Sequence, residues 1–146
     1  MGVTLQVVVD CRDPDSLAAF WAAALGFEKQ WSWDDATTRD MLEGGLEPDR
    51  VNSRCAVVDP AGRATRLFFQ RVPEPKQIKN RLHLDVQVDE ADADAMVDRL
   101  IALGATRVRA VDYKFGPFPT EHWIVMQDPE GNEFCVVPIT QSPTSG

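Results

Sequence analysis

His83 and Asp85 stand two residues apart in the run Arg81-Leu82-His83-Leu84-Asp85-Val86-Gln87-Val88. In a β-strand, residues two apart share a face, so a carboxylate would lie beside an imidazole. That pairing supports two readings. In one, Asp85 fixes the tautomer of a hydrogen-bonded pocket histidine. In the other, the two form a general acid–base pair, because imidazole titrates near neutral pH. Cys135 adds a thiol, either a small apolar core residue or a nucleophile activated by a nearby His83. The chain holds no glycine-rich phosphate loop, no nucleophile-elbow serine and no histidine pair at metal spacing.

The elements that must carry these groups repeat. Asp59-Pro60-Ala61-Gly62 returns as Asp128-Pro129-Glu130-Gly131, each before a strand-like run. Each is preceded by an apolar strand and an amphipathic helix ending in Leu-Gly, at Leu25-Gly26 and Leu103-Gly104. Two similar units in one small chain predict a pseudo-symmetric domain. The first module covers about 3–72, a Pro- and Lys-containing linker 73–80, the second module about 81–139, and a polar, disordered tail 140–146.

Within module 1, strands are expected at Leu5–Asp10, Phe27–Trp33, Asn52–Val58 and Arg66–Val72. A helix follows Asp13-Pro14, with Leu17, Phe20, Trp21, Ala24 and Leu25 as its apolar stripe. Asp34–Arg50 is polar and glycine-containing and reads as a loop with a turn near Met41. Within module 2, strands are expected at Arg81–Val88, Thr106–Tyr113, His122–Gln127 and Glu133–Ile139. The helix is Asp89–Leu103, with Ala93, Met96, Val97, Leu100 and Ile101 inward. Strand, helix, three strands thus occurs twice.

Alternation sends Leu5, Val7 and Val9, and Leu82, Leu84, Val86 and Val88, toward the helices. The opposite faces carry Gln6, Val8 and Asp10, and His83, Asp85 and Gln87. Polar groups on an inner sheet face need partners or a wet pocket, so Gln6, Asp10, His83 and Asp85 form an expected pocket floor, flanked by Gln70 and Cys135. Trp33, Phe69 and Trp123, with Trp31, Phe115 and Phe118, are candidates for an aromatic wall.

A length of 146 residues, 44% hydrophobic and 26% charged, fits one domain with a real core. No apolar run reaches the roughly 20 residues of a membrane span, and the opening residues read as strand rather than signal peptide. A net charge of −8 argues against nucleic acid. Three widely spaced cysteines, Cys11, Cys55 and Cys135, fit reduced thiols in the cytoplasm.

The order of elements, with Phe20-Trp21, Leu25-Gly26, His83-Leu84-Asp85-Val86, Leu103-Gly104-Ala105 and Asp128-Pro129-Glu130-Gly131-Asn132-Glu133-Phe134, resembles the vicinal oxygen chelate superfamily. Its members are glyoxalases, bleomycin-resistance proteins and dioxygenases, and the resemblance, which spans Leu5 to Pro138, is nearest their glyoxalase-like branch. It implies an α+β fold of two βαβββ modules forming a cupped mixed sheet with helices outside, and often a homodimer. It also implies metal-ligand positions at Gln6, Gln70, His83 and Cys135. Metal-binding members carry carboxylates on the last strands, where this chain has Gln70 and Cys135. A hard divalent cation loses much of its attraction to such a set, which would hold zinc only weakly. The expectation is therefore a small-molecule-binding protein without a resident metal or other cofactor. It would be a lyase or isomerase using His83 and Asp85, or a sequestering protein of the bleomycin-resistance type.

Overall fold

The computed structural model describes residues 1–140; most of the expected tail lies outside the described residues. The chain divides into two compact units, Met1–Lys76 and Gln77–Gly146. Each is built on the same plan, an α+β module with one four-stranded mixed sheet.

In the first unit β1 (Val7–Cys11) leads into α1 (Pro14–Leu25), and β2 (Glu28–Lys29), β3 (Arg54–Val58) and β4 (Leu67–Arg71) follow. The sheet order is β1-β4-β3-β2, with β1 parallel to β4 and the other pairs antiparallel. The second unit has β5 (Asp85–Asp89), α3 (Ala93–Ala102), β6 (Thr106–Tyr113), β7 (Glu121–Gln127) and β8 (Glu133–Ile139). Its order is β5-β8-β7-β6, with β5 parallel to β8.

Local chemistry explains the starts and stops. The Asp13 carboxylate accepts the Ser16 N–H at 3.2 Å and caps α1, and Gly26 ends it at φ 68°, a left-handed conformation that suits glycine. Leu17, Ala18, Phe20, Trp21 and Ala24 are buried against the sheet. In α3 the buried face is Ala93, Val97 and Leu100, while Ile101, expected inward, is exposed.

The Asp-Pro-x-Gly repeats are architectural. Asp59 accepts N–H groups from Ala61, Arg63 and Ala64, and Asp128 accepts those of Glu130 and Asn132. Both carboxylates are buried, so each replaces lost water with loop amides. Gly62 and Gly131 close the turns at positive φ.

Three expectations need correction. Residues 34–50 are not simply a loop: α2 spans Asp35–Glu43, capped by Asp34 accepting the Thr37 N–H at 2.7 Å. It buries no side chain, so it lacks the apolar stripe that marks a helix in sequence. The strand expected over Phe27–Trp33 shrinks to the two residues of β2, which pair only with Val57 and Val58. Leu5 and Leu82 do not face helices, since both precede their strands and are exposed.

Candidate functional site

In the second unit the sheet face turned away from α3 holds a cluster of titratable side chains. Val86 is buried on the helix side, and Asp85 and Gln87 point the other way. Register places Asp85 beside Cys135, and the Cys135 N–H donates to the Leu84 carbonyl at 2.9 Å. That bond fixes the backbone next to His83, which lies just ahead of β5. His83 Nδ1 is 3.3 Å from Asp85 Oδ1. One ligand-capable atom from each of His83, Asp85 and Cys135 lies within 4.8 Å of the others.

These groups open into a cleft of about 1000 Å³, also lined by Lys79, Arg109, Glu121 and Trp123. His83 and Asp85 are about half exposed, whereas Cys135 is buried. Burial pushes the Cys135 thiol up, and the Asp85 carboxylate raises it further by its charge and by a hydrogen bond. Cys135 is therefore a neutral thiol at physiological pH, which disfavours its role as a nucleophile.

Asp85 can stabilise the Nδ1–H tautomer of His83, leaving Nε2 able to accept a proton in the cleft. A proton abstracted there produces an imidazolium beside the Asp85 carboxylate. Lys79 and Arg109 can stabilise negative charge developing on a reacting oxygen.

The first unit's candidates have other partners. Gln6 accepts a hydrogen bond from Arg66, and Gln70 donates to Asp10 at 2.7 Å. Trp33 donates its indole N–H to the Arg54 carbonyl at 2.7 Å and its backbone N–H to Asp15 at 3.1 Å, which anchors the entry to α2. Phe69 is a correction. Strand parity puts it with Cys55 on the α1 side, where it is 0% exposed, so it is core and not a ligand wall. Trp123 does line the cleft.

Sequence reasoning missed Lys79, Arg109 and Glu121 as cleft residues. Arg109 was hard to place because register shifts between Arg107 and Arg109, and a bulge resets which residues share a face.

With this geometry in place, the family follows. A glyoxalase-like domain model matches residues 6–137, and the chain belongs to that family. Its fold is that of the vicinal oxygen chelate superfamily, as the solved structures similar to it show. A glyoxalase/bleomycin resistance protein/dioxygenase family enzyme from Burkholderia phytofirmans PsJN is 20% identical with a TM-score of 0.62, covering 92% of this chain and 96% of its own. A mutant fosfomycin resistance protein FosX from Listeria monocytogenes, complexed with Mn(II) and 1S,2S-dihydroxypropylphosphonic acid, is 15% identical with a TM-score of 0.67, covering 97% and 95%. FosX from Mesorhizobium loti is 13% identical with a TM-score of 0.64, covering 97% and 94%. No curated protein matches the chain.

A hard metal such as Mn(II) prefers several oxygen ligands in octahedral geometry. The cluster here offers one imidazole, one carboxylate and one soft thiol. In the first unit, Arg66 stands against Gln6, so a cation at that amide would meet a guanidinium. These residues do not suit the manganese of that relative.

Proposed function

We propose that the protein is a metal-independent lyase or isomerase acting on a small molecule in the second unit's cleft. His83 serves as general base and acid, and Asp85 holds its tautomer. The observation that carries this reading is the 3.3 Å approach of His83 Nδ1 to Asp85 in a cleft that also holds two cations. The reaction class is proton abstraction next to a polarised carbonyl. The proton either returns at a neighbouring carbon or its loss expels a leaving group on that carbon. Gln6, Asp10 and Gln70 belong to the first unit and hold hydrogen-bond partners there. We place the protein in the cytoplasm as a homodimer: all three cysteines are free thiols, and edge strands such as β2 and β6 need cover. No described helix is long and apolar enough to cross a membrane, and the net charge disfavours nucleic acid.

The alternative is a sequestering protein of the bleomycin-resistance type, favoured by the exposed aromatic side chains Tyr113, Phe115 and Phe118 near the cleft. One experiment separates the two. A metabolite and antibiotic panel is screened by thermal shift, and each hit is followed for turnover with chelator-treated wild type, His83→Ala and Asp85→Asn. The enzyme reading requires turnover that survives chelation and falls at least ~100-fold in His83→Ala. Tight binding with no conversion of any hit supports sequestration, and turnover lost on chelation refutes metal independence.

A further inference from the structure

Four aromatic rings run outward from the cleft along one end of the second unit's sheet. Trp123 lines the cleft. The Tyr113 ring lies 6.4 Å from it, Phe115 stacks on Tyr113 at 6.3 Å and 19°, and Phe118 stacks on Phe115 at 6.0 Å and 8°. Tyr113, Phe115 and Phe118 are 48%, 60% and 59% exposed, too much apolar surface in one place for a solvated loop to present without use.

The loop that holds these rings is built rather than slack. The Phe118 N–H donates to the Phe115 carbonyl at 3.2 Å, and the Lys114 ammonium donates to the Phe118 carbonyl. Gly116, at φ 56°, makes the left-handed turn that brings Phe118 back onto Phe115. Strand register carries the shelf into the cleft, since Val111 faces Trp123 and Tyr113 faces Glu121 across β6 and β7.

Charge narrows the ligand. The cleft lining sets the carboxylates of Asp85, Glu90, Glu121 and Glu133 against the cations of Lys79 and Arg109. Lys79 also donates to the Asn80 carbonyl at 3.1 Å. The balance is negative, and aromatic faces attract cations through their quadrupoles.

We propose that Tyr113, Phe115, Phe118 and Trp123 form a subsite for a planar aromatic cation, with Glu121 facing its charge. The inference rests on the cleft being the ligand site and names the class of ligand that it takes. The rings supply stacking area, and the carboxylates select a cation over an anion of the same shape.

The test uses two planar three-ring probes on the full chain at about 0.15 M salt, where long-range attraction to an acidic protein is screened. Proflavine is the cation and anthracene-9-carboxylate the anion, each titrated by fluorescence anisotropy. Proflavine should bind at least ~10-fold more tightly than the anion, and the double variant F115A/F118A should weaken it by at least ~10-fold. Glu121→Gln should reduce proflavine affinity and leave the anion unchanged. Circular dichroism and the melting temperature of F115A/F118A should match wild type, as both rings are exposed. Equal affinity for the two probes overturns the proposal, as does proflavine affinity unchanged in F115A/F118A. Conversion of a dimer to monomer by that variant also overturns it, because the shelf would then be an interface between copies. The dyes undergo no proton transfer, so their failure refutes the shelf while the turnover test of His83 stands or falls separately.

Discussion

Asp85 and Cys135 face each other across the parallel pair β5–β8, and the carboxylate helps keep the thiol protonated. Removing that negative charge relieves one of the two largest causes that raise the thiol, the other being burial. Asp85→Asn should therefore lower the Cys135 pKa. Iodoacetamide alkylation, followed by mass spectrometry of the peptide containing Cys135, should show the rate rising at lower pH in the variant. A pH–rate curve identical to wild type would mean that the carboxylate has no hold on the sulfur.

Acid should destabilise the fold. The Asp59 carboxyl is held below its ordinary 3.8 by backbone N–H bonds, from Ala61 first. Asp34 is lowered by the Thr37 backbone N–H first, and Asp13 is lowered although burial opposes the bonds from Asn52 and Ser16. A carboxyl with a depressed folded value binds fewer protons folded than unfolded near that pH. Its stabilisation is therefore present above the ordinary value and is lost as pH falls below it. Urea midpoints should be flat from pH 7 to about pH 5 and fall below about pH 4. Asp59→Asn should shrink the fall, and an unchanged slope in that variant would contradict the linkage.

Phe69 and Trp123 should behave oppositely. Phe69 is fully buried, so Phe69→Ala should cost about 3–5 kcal/mol in chemical denaturation. Trp123→Ala opens a cleft wall and should cost less while weakening ligand binding. A Phe69→Ala protein of near wild-type stability would return that ring to the list of ligand contacts.

Much of this was legible in the residues, for physical reasons. The repeated Asp-Pro-x-Gly turns and Leu-Gly helix ends depend on local hydrogen bonding and positive φ, which the nearest residues alone decide. Alternation separated Asp85 and Gln87 from Val86 because one face of β5 is covered and the other open. Phe69 was misplaced because its aromatic type alone nominated it, whereas alternation with the polar, exposed Gln70 puts it on the covered face. Helix α2 escaped notice because its stability comes from an Asp34 cap and solvent-facing turns, not from burial. The cations of the cleft escaped because Lys79 lies in the linker and Arg109 next to a bulge.

The purified protein should carry no stoichiometric manganese or other hard divalent metal, since His83, Asp85 and the soft Cys135 thiol offer such a cation a single carboxylate. Elemental analysis finding about one equivalent of a divalent metal, released by His83→Ala, would count decisively against this account.

The most direct test of the central claim is the side-chain ¹⁵N NMR spectrum of the imidazoles. The chain has two histidines, and His83→Ala assigns them. The account predicts that neutral His83 is the Nδ1–H tautomer with Nε2 unprotonated, and that Asp85→Asn redistributes the tautomers. A neutral His83 protonated at Nε2, indifferent to Asp85→Asn, would contradict it.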